Sequence, residues 1–136
     1  MKVVSWNLNG LLSCIKNKSF EQLSPLMPDV ICLQEIRTRQ EPEILPGYNH
    51  IWNHADRDGY SGTATLTKLQ PLKTIYGFND IFPDPEGRLI TLEFPEFFLI
   101  NAYAPNSQKT LNVTPTGWSG TMLCESMCSL YLKANL

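Results

Sequence analysis

An unbroken apolar run, Val30-Ile31-Cys32-Leu33, ends in Gln34 and Glu35. A short continuous run of this kind suits a strand buried on both faces, as in the parallel part of an α/β sheet. A carboxylate after it leaves the apolar layer at the strand's carboxyl end, where open α/β sheets place ligands. Residues 2–6 give a first strand, and Asn7-Leu8-Asn9-Gly10 the turn that ends it. Between the two strands, residues 11–26 can form one amphipathic helix with Leu11, Leu12, Ile15, Phe20 and Leu23 as its apolar positions, closed by Pro25 and Pro28. Strand, helix and strand make a βαβ-like unit, and parallel pairing of its strands brings Asn7 and Glu35 to one edge.

The pattern then shortens. After a Pro- and Glu-rich loop at 41–47, residues 48–53 alternate like a half-exposed strand. Gly59 and Gly62 allow a tight turn before an alternating, threonine-rich strand, Thr63-Ala64-Thr65-Leu66-Thr67. Residues 71–84 read as turn-rich, with an apolar Ile75-Tyr76-Gly77-Phe78 inside them. Residues 87–94 and 97–103 read as a hairpin closed at Pro95-Glu96, and Tyr103 ends its second strand, with Pro105 fixing the backbone beyond.

Composition narrows the class. At 136 residues, 43% hydrophobic and 18% charged, the chain is one globular domain with enough apolar residues for a core. It has no run long enough to span a bilayer, and residues 1–7 lack a signal-peptide core, so a cytoplasmic location is expected and no membrane partner. Cys14, Cys32, Cys124 and Cys128 lack zinc-like spacing and read as free thiols. With a net charge of −2, a nucleic-acid partner has to be held by a local basic patch or a bridging cation.

Taken singly, the candidate residues have two readings each. Asn7 and Asn9 are either turn formers or, for Asn7, an amide offered to a metal or phosphate. Glu35 either opens a solvated loop or serves as a ligand. Tyr103 is either a core tyrosine with its hydroxyl at the rim or a site residue. His50 and His54 read as packing or surface residues, and Arg88 as an ion-pair partner.

Five stretches in one order change the weight of these readings: Ser5-Trp6-Asn7-Leu8-Asn9-Gly10, Leu33-Gln34-Glu35, Gly59-Tyr60-Ser61-Gly62-Thr63-Ala64, Glu86-Gly87-Arg88 and Tyr103-Ala104-Pro105-Asn106-Ser107-Gln108. Together they resemble the exonuclease III family of abasic-site DNA repair nucleases, within the endonuclease/exonuclease/phosphatase superfamily, over about residues 1–111. The resemblance implies an α/β fold, the N-terminal half of a four-layered, DNase I-like α/β sandwich with two sheets face to face and helices outside. It implies hydrolysis of a DNA phosphodiester assisted by Mg²⁺ or Mn²⁺, on duplex DNA with an abasic site or a 3′ end. Asn7 and Glu35 would hold the metal and Tyr103 would lie at the scissile phosphate. Asn106 would share that rim, and Gly59, Tyr60 and Ser61 would border the DNA groove.

The chain departs from that family near its end. Family members continue with a helix rich in Arg, Glu and Trp, a strand ending in Gly-Asp-x-Asn, and a late Ser-Asp-His; none of these is present. The missing Asp and His would be the general acid/base pair. The sequence therefore reads as an incomplete, inactive piece of a nuclease, with a sheet face left bare for a partner to cover. The alternative is a non-catalytic remnant or binding module that engages DNA or a partner carrying the other half. Residues 112–136 form an atypical tail without helical or alternating periodicity. Read one base earlier, the codons from Thr116 onward can spell Tyr-Arg-Leu-Glu-Trp-Asp-Asp-Ala-Leu, so a frameshifted or truncated product is expected there, against a genuine divergent tail.

Overall fold

The expected parallel pair is present: β1 (Val3–Asn7) lies beside β2 (Val30–Gln34), with Asn7 opposite Gln34. The computed structural model describes residues 1–78 and 83–104. Across these, β3 (Asn49–Asn53) and β4 (Thr63–Thr67) complete a four-stranded sheet in the order β1-β2-β4-β3. A second, antiparallel sheet is built from β5 (Lys73–Tyr76), β6 (Leu89–Glu93) and β7 (Phe98–Ala102) in that order. The β6–β7 hairpin closes at Pro95 and Glu96 as expected.

The connection between β1 and β2 is not one helix. It is a short α-helix, α1 (Leu11–Lys16), followed by a 3₁₀ helix (Ser19–Leu26). The break falls at Asn17 and Lys18, where Lys18 takes a left-handed backbone. Asn and Ser there compete with the helix for backbone hydrogen bonds, and Pro25 lacks the N–H that an α-helical turn would use. The break corrects the apolar face. α1 buries Leu11 and Cys14, while Leu12 and Ile15 are 43% and 37% exposed. The 3₁₀ turn aligns residues three apart, so Phe20 and Leu23 both reach the core. Leu11, Cys14, Phe20 and Leu23 pack with Ile31, Leu33, Ala64 and Leu66 on the outer face of the four-stranded sheet.

The inner face is covered too, which overturns the bare face expected from the sequence. Ile90, Leu92 and Phe94 pack with Ile51 and Leu99, so the second sheet lies against the first within this chain. β2 and β4 are consequently buried at every position. The threonine-rich β4 alternates in chemistry but not in exposure: Thr63, Thr65 and Thr67 are all inaccessible. The other miss is β5, a four-residue strand inside the stretch expected to be turns.

Asn101 joins the layers. It is 2% exposed, its Nδ2 donates to the carbonyl of Ala64 (2.8 Å) and lies within reach of the Leu33 carbonyl and Thr65 Oγ1, and its Oδ1 accepts from Gln34 Nε2 at 2.8 Å. A buried amide with every group engaged ties β7 to β2 and β4 in one register. Its neighbours in sequence carry that register to the sheet edge, since Gln34 precedes Glu35 and Asn101 lies two residues before Tyr103.

Cys14 and Cys32 are free and buried, and desolvation pushes the Cys32 thiol up to about 11, which leaves it protonated and inert. Cys124 and Cys128 lie outside the described residues. No helix of the described residues is long and apolar enough to cross a membrane.

Candidate active site

Parallel pairing of β1 and β2 sets their carboxyl ends side by side, and three backbone bonds continue the pairing past the strands. Leu8 N–H donates to the Gln34 carbonyl, Gly10 N–H to that of Glu35, and Leu11 N–H to that of Ile36, each at 2.9 Å. The turn after β1 is thereby fixed against the turn after β2. Across this seam Asn7 Nδ2 donates to Glu35 Oε1 at 2.9 Å. From the second sheet, Tyr103 O–H donates to the same oxygen at 2.7 Å. Arg37 pairs with the other carboxylate oxygen, Oε2, at 2.5 Å. Two residues distant in sequence, Asn7 and Tyr103, thus meet Glu35 at one carboxylate oxygen.

The backbone is unusual at this edge. Glu35 has φ 54°, and Asn9, Arg37 and Ser61 have φ 51°, 52° and 45°. Non-glycine residues rarely hold left-handed backbone, and such residues gather where a side chain has to be aimed against local preference. Here the strain turns Glu35, 8% exposed, toward Asn7 and Tyr103.

Loop 59–62 is lashed to the same turn. Arg37 N–H donates to the Ser61 carbonyl (2.9 Å) and Ile36 N–H to that of Gly62 (3.2 Å). Gly59 has φ 72°, a conformation glycine adopts freely. Within the loop Tyr60 is the outward side chain, 39% exposed, and Arg57 lies 5.5 Å from its ring centroid. Ser61 is buried, and its Oγ has no hydrogen-bond partner among the described residues. Asn106 lies outside the described residues. Arg88 pairs with Glu86 at 2.5 Å and is 3% exposed, so it has an ion-pair role as expected. The histidines are packing residues: His50 Nε2 meets the Ile44 backbone, and His54 meets the Thr38 carbonyl and Glu41.

Arg37 was hidden in the sequence. It sits in a charged stretch that looks like a solvated loop, and its only signal was a cation two residues from the strand-end carboxylate. Asn101 and Gln34 were also read merely as strand residues.

The charges at this edge are well ordered. Burial pushes the Glu35 carboxyl up, but hydrogen bonds from Asn7 and Tyr103 and the Arg37 charge outweigh it and hold the group below its usual range. Burial, with the bond to Glu35 and its charge, pushes the Tyr103 phenol up against the opposing Arg88. At neutral pH the pair is an ionised acceptor and a neutral donor. Because the folded-state value of Glu35 lies below the unfolded one, its contribution to stability is present above the unfolded value and is lost as pH falls through the folded one. Urea midpoints measured from neutral pH into the acid range should fall, and Glu35→Gln should flatten that acid limb; an equally steep limb in the variant would contradict the assignment.

A hard divalent cation takes carboxylate and amide oxygens. Glu35 and Asn7 offer one of each, provided that the Asn7 amide turns its Oδ1 inward and Arg37, whose side chain is 43% exposed, yields Oε2. No group of three His, Cys, Asp or Glu able to cage a metal exists among the described residues. A cation that keeps several waters and takes one or two carboxylates plus a phosphate suits this pair; an all-protein cage does not.

Residues 4–134 match the Endonuclease/Exonuclease/phosphatase family. The chain is 41% identical over 118 residues to the DNA repair nuclease APEX1 of Danio rerio, covering 82% of this chain and 38% of that protein. It is 42% identical over 114 residues to an exodeoxyribonuclease of Bacillus subtilis, covering 82% of this chain and 45% of that one. Among solved structures, the Xenopus laevis APE2 catalytic domain aligns with a TM-score of 0.65 at 30% identity, over 79% of this chain and 46% of that domain. The chain thus spans less than half the length of these relatives, and the fold is the N-terminal part of their DNase I-like α/β sandwich.

Proposed function

The chain belongs to the endonuclease/exonuclease/phosphatase family, and from that footing we propose that it is the metal- and phosphate-binding half of a DNA repair nuclease of the exodeoxyribonuclease III and abasic-site endonuclease type. The substrate is duplex DNA with an abasic site or a 3′ end, and the reaction is phosphodiester hydrolysis. The observation that carries this reading is the convergence of Asn7, Glu35 and Tyr103 at one sheet edge.

In this account Glu35 and Asn7 hold Mg²⁺ or Mn²⁺. When bound, the cation supplies positive charge to the phosphate and the leaving oxygen. The residues of the chain bind and orient. Tyr103, a neutral phenol, exchanges its bond to Glu35 for one to a phosphate oxygen and stabilises charge developing there. Arg37, displaced from Glu35 Oε2, is free to pair with a neighbouring phosphate. Tyr60 and Arg57 border the groove, with Gly59 and Ser61 shaping the loop beneath them. Residues 1–111 form the nuclease part and residues 112–136 an atypical tail. Proton transfer is not provided for in these 136 residues. They contain neither Gly-Asp-x-Asn nor Ser-Asp-His, and His50 and His54 are engaged in holding loop 38–44. The chain by itself hydrolyses DNA slowly for that reason.

Binding to a duplex carrying an abasic-site analogue tests the reading. Fluorescence anisotropy should show affinity that rises on adding Mg²⁺ and returns to its starting value with EDTA. Binding that ignores the cation would favour the non-catalytic module, and absence of binding would remove DNA from the account.

A further inference from the structure

The guanidinium of Arg88 has more contacts than an ion pair needs. Nε donates to Glu86, which alone satisfies its charge. Nη1 donates to the Tyr103 carbonyl (3.2 Å) and Nη2 to the Tyr60 hydroxyl (3.3 Å). Its carbon lies 4.5 Å from the ring centroid of Tyr103 and 5.9 Å from that of Tyr60. The Arg88 backbone is held as well, its N–H by the Asp84 carboxylate and its carbonyl by Tyr103 N–H at 2.8 Å. Just before it in the chain, the Glu86 carbonyl accepts from Gly62 N–H and the Gly87 carbonyl from Thr63 Oγ1. Turn 84–88 therefore fastens loop 59–62 at one end and Tyr103 at the other, with the Arg88 side chain between the two aromatic rings.

We infer that Arg88 is a positioning residue that couples Tyr60 to Tyr103, so that a displacement of the Tyr60 ring moves the Tyr103 phenol against Glu35. The functional meaning of this coupling rests on the nuclease reading, in which Tyr60 meets DNA and Tyr103 a phosphate. Tyr60 has the guanidinium carbons of Arg57 and Arg88 5.5 Å and 5.9 Å from its ring centroid and Arg88 Nη2 on its hydroxyl, so a ring shifted by DNA carries the Nη2 contact with it. Tyr103 is held at four points, by Glu35 at the hydroxyl and by Arg88 at the ring face, the carbonyl and the N–H. A planar guanidinium can stack and donate at its edges together; an ammonium keeps the charge but not that geometry.

The test uses the full chain with ¹³C-labelled tyrosine. Its five tyrosines give few ring signals, and that of Tyr103 is assigned by its loss in Tyr103→Phe. Tyr60→Leu, a change at a partly exposed side chain, should shift the Tyr103 ring signals, and the shift should vanish when Tyr60→Leu is combined with Arg88→Lys. Tyr103 signals that stay in place on Tyr60→Leu overturn the coupling, and so does an equal shift with Arg88→Lys present. If Arg88→Lys does not fold, Tyr60→Phe replaces it: keeping the ring but removing the Nη2 acceptor, it should give a smaller shift in the same direction, and no shift at all overturns the inference. An abasic-analogue duplex added to the same sample separates the two claims. A Tyr60→Leu shift without DNA binding leaves the coupling standing and defeats the nuclease reading, whereas binding without the shift does the reverse.

Discussion

Glu35→Gln is expected to weaken Mn²⁺ binding by at least about 100-fold, because loss of a group that merely orients a ligand already costs about 10–100-fold and the proposed function makes this carboxylate the ligand itself. The substitution keeps shape and the hydrogen bonds from Asn7 and Tyr103 can largely re-form, so the loss is one of charge. Among the described residues no group of three His, Cys, Asp or Glu is placed to take over the ion. Tyr103→Phe is the matched control, since it removes the hydroxyl that donates to Oε1 and leaves the carboxylate in place. Mn²⁺ titration followed by electron paramagnetic resonance should show near-native affinity for Tyr103→Phe and collapse for Glu35→Gln. Equal affinities in Glu35→Gln and the native chain would place the ion elsewhere.

Asn101→Leu should lower the stability of the chain by about 2–4 kcal/mol, since it strands buried partners that each cost about 1–3 kcal/mol when left unsatisfied. The replacement is similar in size, so packing alone does not account for the loss. Ala64 and Leu33 lose the amide on their carbonyls, and Gln34 keeps only its longer 3.2 Å contact to Ser5. Against a total of about 5–15 kcal/mol for an ordinary domain, this is a large share. Urea unfolding measures it, and a change below about 1 kcal/mol, the ordinary level for a single mutation, would show that the sheets are not joined through this amide. The site should loosen with it, because Gln34 and Asn101 lead into Glu35 and Tyr103.

The sequence revealed most where one force dominated. Val30 to Leu33 is apolar at each position because β2 is covered on both sides; that run put Glu35 at a strand end but left its role open until the order of the motifs was added. β4 was harder: its threonines satisfy their backbone pairing and sit against the other sheet, so a polar alternation marked chemistry and not exposure. β5 is short and half-exposed at a sheet edge, and turn residues around it masked its pattern. The break at Lys18 depends on backbone geometry that no apolar spacing records. Arg37 and Asn101 show the limit more sharply. Each is meaningful only through a partner that the fold delivers, Glu35 Oε2 for one and the Gln34, Ala64 and Leu33 groups for the other. Motif order brought Asn7, Glu35 and Tyr103 together in expectation; the contacts that hold them in place came from the structure.

The sandwich expectation was changed in one respect. The chain is the N-terminal part of a sandwich, as expected, but the sheet that covers its first sheet was expected to be missing with the other half. Instead β5, β6 and β7 supply a second sheet, and the inner faces of β2 and β4 are covered. What the proposed reading takes to be missing is chemical: the acid/base pair that Gly-Asp-x-Asn and Ser-Asp-His, both absent from the sequence, would supply.

The most direct measurement of that claim is single-turnover cleavage of an abasic duplex in Mg²⁺ by this chain, alone and then mixed with the purified C-terminal half of a relative. The account predicts very slow cleavage alone and a rise of about 10²–10⁴-fold on mixing, the range that a positioned general acid/base pair contributes, with no rise for Glu35→Gln. Rapid cleavage by the chain alone would contradict it, because the 136 residues would then already contain a complete proton-transfer apparatus.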